Sequence, residues 1–394
     1  MVGHRVPLAG LIILVLVAGA FVAAPAAASD GDLVWTRRLG GASGDNGRGV
    51  AVDGSGNVYT TGIFLGTSDF DPGAGTFNLT AAGESDVFVS KLDSSGSLVW
   101  VRQLGGTGTD VGSHVAVDGS GNVYTAGHFS GMADFDPGVG TFDLTAAGGT
   151  DVFVSKLNST GNLVWARQLG GTSNDQGFGV AVDGSGNVYT TGSFEGTADF
   201  DPGGGTSNLT SAGELEVFVS KLDSSGNLVW AGKLGGTSFD EGFGVAVDGS
   251  GNVYTTGYFF GTADFDPGGG TSNLTSAGTF DVFVSKLNSS GNLVWARQLG
   301  GVIGYGVAVD GSGNVYTTGY FFGTGDFDPG AGTFDLTPAG EYDVFVSKLD
   351  SLGNLVWARQ LGGTGSDFGR GVAVDGSGNV YTTGGFQGTA DFDP

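Results

Sequence analysis

The sequence predicts an all-β fold, a β-propeller of four-stranded antiparallel blades with about 65 residues to the repeat, cut short at the C-terminus. Three observations predict it. The tryptophans, Trp35, Trp100, Trp165, Trp230, Trp295 and Trp357, recur four times at a spacing of 65 residues and once at 62. A second phrase, Val50-Ala51-Val52-Asp53-Gly54-Ser55-Gly56-Asn57-Val58-Tyr59, keeps step with them, and its aspartate returns at Asp118, Asp183, Asp248, Asp310 and Asp375. Between the phrases lie short apolar, β-branched runs bounded by glycine, with no helical period. A long fixed period is the mark of an array in which each unit buries its neighbour's face.

The first repeat shows the elements in order. Residues 49–53 and 57–64 are rich in Val, Tyr and Thr, and Gly54-Ser55-Gly56 between them closes a hairpin. Residues 66–72 read as irregular, and 76–80 as a short extra strand. Residues 86–92 and 97–104 form a second hairpin across Asp93-Ser94-Ser95-Gly96. Four strands in sequential antiparallel order make one blade. Val87, Phe88, Val89 and Leu92 place apolar groups on both faces, as a sheet covered on both sides requires. Each tryptophan is expected to pack between blades. A parallel β-helix has much shorter coils, and tandem sandwiches need more strands per unit.

Three phrases together carry a family resemblance: Gly-Val-Ala-Val-Asp-Gly-Ser-Gly-Asn-Val-Tyr-Thr-Thr-Gly at 179–192, Asp-Val-Phe-Val-Ser-Lys-Leu at 151–157 and Leu-Val-Trp-Ala-Arg-Gln-Leu-Gly-Gly at 163–171. In this order they resemble the SBBP family of bacterial seven-bladed β-propeller repeats, with hairpins similar to those of NHL-type propellers. The resemblance covers essentially all of residues 32–394. It implies a propeller in an exported or surface-associated protein, and it carries over no catalytic residue.

The N-terminus reads as an export signal. His4 and Arg5 precede an apolar run from Leu8 to Ala24, and Ala26-Ala27-Ala28 offers a cleavage site. Residues 1–28 are thus expected to be a signal peptide, and 29–394 five full repeats and a partial sixth. The last repeat stops at Asp391-Phe392-Asp393-Pro394, after its first hairpin, so a fragment of a longer reading frame with open strand edges is expected. The chain has no cysteine, so burial or ions must stabilise it outside the cell. Its 40 acidic residues against 15 Lys and Arg give a net charge of −25, which disfavours nucleic acid and anionic lipid as partners. No membrane insertion is expected after signal cleavage.

Calcium is the one cofactor the sequence suggests. The phrase Asp-Phe-Asp-Pro sets out paired carboxylates at Asp69 and Asp71, Asp134 and Asp136, Asp199 and Asp201, Asp264 and Asp266, and Asp326 and Asp328. In an extended chain the two would point the same way, about 7 Å apart, a pattern suited to a hard cation. A turn, with Asp accepting backbone N–H groups before a proline, is the other reading. Asp53, Ser55 and Asn57 have calcium-loop spacing without the closing glutamate and are read as a hairpin turn. Asp45, Asp110, Asp175, Asp240 and Asp367 lie in the Gly-rich linkers and are read as surface residues, because repeat five omits that aspartate and three linker residues. His114 and His128 are read as solvated.

No catalytic motif is present, and carboxylates repeated in every unit do not make one asymmetric active site. Variation gathers instead around Phe64, Phe129, Phe194, Phe259 and Phe321, whose neighbours vary between repeats. Tyr258, Phe260, Tyr320 and Phe322 enrich one sector in aromatics and are candidate ligand-binding residues, with interblade packing as the alternative. The expectation is an exported, non-catalytic binding or adhesion scaffold for an extracellular glycan or protein. The alternatives are a propeller enzyme acting on extracellular polysaccharide and a structural surface-layer element.

Overall fold

The computed structural model describes residues 33–393. The expected signal peptide lies outside them. Among the described residues every regular element is a strand, and five four-stranded antiparallel blades follow one another in chain order. The first blade comprises Asn46–Val52, Val58–Phe64, Asp86–Leu92 and Leu98–Gly106. A further inner hairpin, Phe368–Val374 with Val380–Gly385, follows the fifth blade. The first strand starts three residues before the expected one, because Asn46 pairs with Ile63 and Gly47 with Gly62.

Each third strand shares its faces between two interblade cores. Val87 and Val89 pack toward the second blade with Phe153, while Phe88 packs back against Phe64, Phe70 and Val101. The next blade repeats this, with Val152 and Val154 meeting Phe218. Every blade is therefore apolar on both sides, and no single central core exists. Trp100, Trp165 and Trp295 are at most 7% exposed and lie in these cores, as the sequence predicts.

The blades are also stitched through the backbone. The stretch expected to be irregular forms a short strand, Thr67–Asp69, paired with Asn78–Thr80. In the next repeat the same hairpin, Met132–Asp134 with Asp143–Thr145, adds to the first blade: Ala133 pairs with Gly106 and Asp134 with Gly105. Residue 106 must be glycine here, since a Cβ would sit 2.0 Å from the Met132 carbonyl. The first three blades each carry two strands from their successor, giving six-stranded sheets, whereas the fourth stays four-stranded and the fifth gains one strand.

The first strands stand side by side without pairing. A Cβ on Gly49 would lie 2.8 Å from the His114 backbone, and one on Gly244 would lie 2.8 Å from the Tyr305 carbonyl. The row runs unbroken from the first blade to the last hairpin, along what is the axis of a propeller. Burial lowers the pKa of Arg48 on the first of these strands, and Arg370 on the last lowers it further.

Candidate functional site

The inner face of this row is built by a bulge that recurs in every repeat. Gly47 pairs with Gly62 and Gly49 with Thr61, so the residue between them, Arg48, has no partner. The same shift occurs at Gly112/His114, Gly177/Gly179, Gly242/Gly244, Gly304/Gly306 and Gly369/Gly371. A bulge frees one side chain from the ladder and re-aims it. Gly62 permits the kink, for a Cβ there would meet the Asn46 carbonyl at 2.0 Å. The six freed residues are Arg48, Ser113, Phe178, Phe243, Tyr305 and Arg370.

Four of them form a continuous stack. The Phe178 and Phe243 rings are 5.0 Å apart, the Phe243 and Tyr305 rings 5.0 Å apart, and the Arg370 guanidinium lies 4.2 Å from the Tyr305 ring. All three rings are half-buried, so part of each reaches the surface.

The predicted ligand residues form the rim of this stack. Tyr258 lies 6.0 Å from Phe243 and 4.9 Å from Phe280, which in turn is 5.8 Å from Phe260. The next repeat copies the arrangement: Tyr320 meets Tyr305 at 6.0 Å and Tyr342 at 5.4 Å, and Tyr342 meets Phe322 at 6.1 Å. Phe260 and Phe322 are 39% and 52% exposed, so the sector is accessible. Phe368 joins it 5.0 Å from Tyr320. Burial pushes the Tyr320 hydroxyl up to about 12. Glu241, paired with Tyr258 across the strands, has its pKa raised by burial and is hydrogen-bonded by the tyrosine. Sequence reasoning missed Phe178, Phe243, Tyr305 and Phe368. The available signal was one variable residue held between two constant glycines.

The histidines need correction. Neither is a solvated surface residue. His114 packs between inner strands with Nδ1 3.2 Å from the Val180 carbonyl oxygen, and desolvation depresses its pKa. His128 lies 6.5 Å from Phe178, and burial, reinforced by Arg48, pushes it down to about 4.

The linker aspartates are a second correction. Asp110, Asp175, Asp240 and Asp367 are fully buried. Asp110 Oδ2 accepts the Gly106 N–H at 2.7 Å, and Asp175 Oδ2 the Gly171 N–H at 2.6 Å. The acid opening the third strand is buried beside it: a Cβ on Gly105 would touch both Asp86 and Asp110. Asp110, Asp175 and Asp240 are pushed up to about 6, first by burial and further by Asp86, Asp151 and Glu216 respectively. Repeat five places Val302 at this position, also buried, so losing the aspartate there reflects an interior site and not a surface one.

In the Asp-Phe-Asp-Pro loops the carboxylates cap their own turns. Asp69 Oδ1 accepts the N–H groups of Asp71 at 3.0 Å and Phe77 at 2.8 Å, and Asp71 Oδ1 accepts that of Gly73 at 2.8 Å. The intervening Phe70 is buried. An open depression of about 420 Å³ borders this loop, lined by Arg38, Gly40, Gly41, Ala42, Asp69, Asp71, Pro72 and Gly73. Among the described residues no group of three or more His, Asp or Glu is placed to hold a metal ion. Asp53 closes its hairpin: Oδ1 accepts the Ser55 and Asn57 N–H groups, and Oδ2 accepts the Tyr59 hydroxyl at 3.0 Å.

The SBBP family profile, described as a beta-propeller repeat, matches residues 34–62, 99–128, 164–193, 294–320 and 356–384. The chain is an array of SBBP β-propeller repeats. Each match runs from the tryptophan strand of one blade through the inner hairpin of the next, so it spans the interblade junction. Among curated proteins, the array is 24% identical over 91% of its length to an uncharacterized WD repeat-containing protein of Acanthamoeba polyphaga mimivirus. It is 26% identical over 74% of its length to the regulatory protein FlaEY of Caulobacter vibrioides. It spans 31% and 32% of those two proteins. A protein of unknown function from Bacteroides caccae aligns over 76% of the array and 93% of its own chain, at 12% identity and a TM-score of 0.28.

Proposed function

We propose that this SBBP array is an exported, non-catalytic binding scaffold whose ligand, an extracellular glycan or a protein segment, seats on the axial aromatic stack. The observation that carries this reading is the stack itself. One bulge, repeated six times, points a side chain inward, and three successive copies are aromatic and half-exposed. Strand cores such as Asp-Val-Phe-Val-Ser-Lys-Leu hold their residues nearly constant, as packing demands, whereas the bulge position varies, as a site needs. The names of the two curated relatives, a WD repeat-containing protein and a regulatory protein, agree with a scaffold and name no reaction.

Calcium belongs to this proposal as a stabiliser of the Asp-Phe-Asp-Pro loops, which present two carboxylates each. Export rests on residues 1–28 alone. The test is retardation of the full chain in gels cast with soluble polysaccharides, alongside a reducing-end assay. Retardation without new reducing ends, lost in Phe243→Ala, supports the scaffold. Reducing ends produced by the unaltered chain, and abolished when one repeat's acids are replaced, would establish the enzyme alternative.

A further inference from the structure

We propose that Arg48 and Arg370 make the axial site selective for an acidic saccharide, a pyranose bearing a carboxylate. This rests on the reading that the axial stack binds a ligand. The other arginines of the repeats show what is unusual about these two. Arg102 spends its donors on the carbonyls of Gly161, Thr160 and Val101, and Arg37, Arg167 and Arg297 do the same in their blades. Arg48 and Arg370 sit instead at the freed bulge positions of the first and last inner strands, both exposed. In a chain of 40 acidic residues, neither has a carboxylate within ion-pair distance among the described residues. Glu241, the acid of the rim, is engaged by Tyr258.

A guanidinium recognises a carboxylate through paired N–H donors. Arg370 is oriented for this. Its guanidinium lies 4.2 Å from the Tyr305 ring and 5.9 Å from that of Phe368, which supports its face and leaves its edge available. From Tyr305 the aromatic surface continues through Phe243 to Phe178. A ligand suited to both parts has a carboxylate at one end and a flat face of C–H groups to lie on rings. A hexuronate has both. The overall negative charge would repel a simple anion at long range, so the arginines must act at contact.

The test is isothermal titration of the full chain with trigalacturonate, its methyl ester and neutral galactotriose at low salt. The acid is expected to bind at least tenfold more tightly than the ester, and added salt to reduce the gap. Arg48→Gln and Arg370→Gln should each lower that preference at least fivefold while unfolding at the unaltered temperature. Arg48→Lys, which keeps the charge, should retain most of it and so guards against a misfolded variant. If ester and acid bind equally, or if both Gln variants keep the preference, the anion proposal fails while the aromatic site stands. If none of the three probes binds, both fail for saccharides.

Discussion

The indole N–H of Trp100 donates to the carbonyl oxygen of Ser159, 3.2 Å away in the next blade. Arg102, two residues on, lies over the same ring at 5.5 Å and donates Nε to the Gly161 carbonyl at 2.8 Å. The Trp-x-Arg phrase is thus a latch, in which the fourth strand of one blade holds the outer turn of the next. It repeats from Trp35 and Arg37 to Ser94 and Gly96, and from Trp295 and Arg297 to Ser351 and Gly353.

One latch is incomplete. Trp230 still reaches the Ser289 carbonyl at 3.2 Å, but Gly232 stands where the arginine would be, and the ring is only partly buried. The turn at Ser289–Gly291 is expected to exchange its amides faster than the matching turns at 159–161 and 224–226. Hydrogen exchange checks this. Arg167→Gly should reproduce the weakness at the third blade and cost about 1.5–3 kcal/mol in denaturant unfolding, since it removes charge-assisted hydrogen bonds.

Stability should fall as pH rises through the range set by the buried linker acids. Burial pushes Asp110, Asp175 and Asp240 up to about 6 in the folded chain, from an ordinary value of 3.8. The folded state holds these protons more tightly than the unfolded one. Their contribution is therefore complete below the unfolded value and is lost between about pH 4 and 6. Asp118, Asp183 and Asp248 act in the opposite sense. Burial raises them, but hydrogen bonds from Asn, Ser and Tyr outweigh it and hold them below 3.8, so their contribution is lost only in stronger acid. Melting temperature should peak at about pH 4 and decline toward pH 6. Asp110→Asn, Asp175→Asn and Asp240→Asn together should flatten the decline.

A buried hydroxyl pair recurs in the blade interiors. Thr190 faces Ser220 across the strands, both are fully buried, and neither side-chain oxygen has a hydrogen-bond partner among the described residues. Replacing both polar groups by apolar ones of similar shape removes an uncompensated desolvation cost. Thr190→Val with Ser220→Ala should be neutral or stabilising by about 1 kcal/mol, read by urea unfolding. A loss of more than 2 kcal/mol would show that the hydroxyls are satisfied.

Calcium can be tested without knowing the ligand. If it occupies the Asp-Phe-Asp-Pro loops, melting temperature rises in calcium, falls in excess EDTA, and the difference disappears when Asp134, Asp136, Asp199 and Asp201 become Asn. If the carboxylates serve only the turns shown by Asp69 and Asp71, calcium and EDTA melts coincide.

The strands, their order and the interblade place of Trp100 were legible because a repeated phrase reports burial directly. Val-Phe-Val cannot face water on either side, and five copies exclude chance. The linker acids were misread because the loss of Asp110's counterpart in repeat five looks like surface tolerance. Only the structure shows Val302 filling the same interior position. Of the aromatic site, sequence reached the rim residues Tyr258, Phe260, Tyr320 and Phe322, which lie beside a constant phenylalanine. It did not reach Phe243 and Tyr305, because a strand read with period two gives no hint that a bulge turns one residue out of alternation.

The central claim is that ligand binding resides on the axial stack, and the most direct measurement is the affinity of trigalacturonate for Tyr305→Ala and Phe243→Ala. Each is predicted to weaken binding at least tenfold with little change in melting temperature, while Phe142→Ala, at an exposed ring on an outer hairpin, leaves it unchanged. Unaltered affinity in both axial variants would contradict the account.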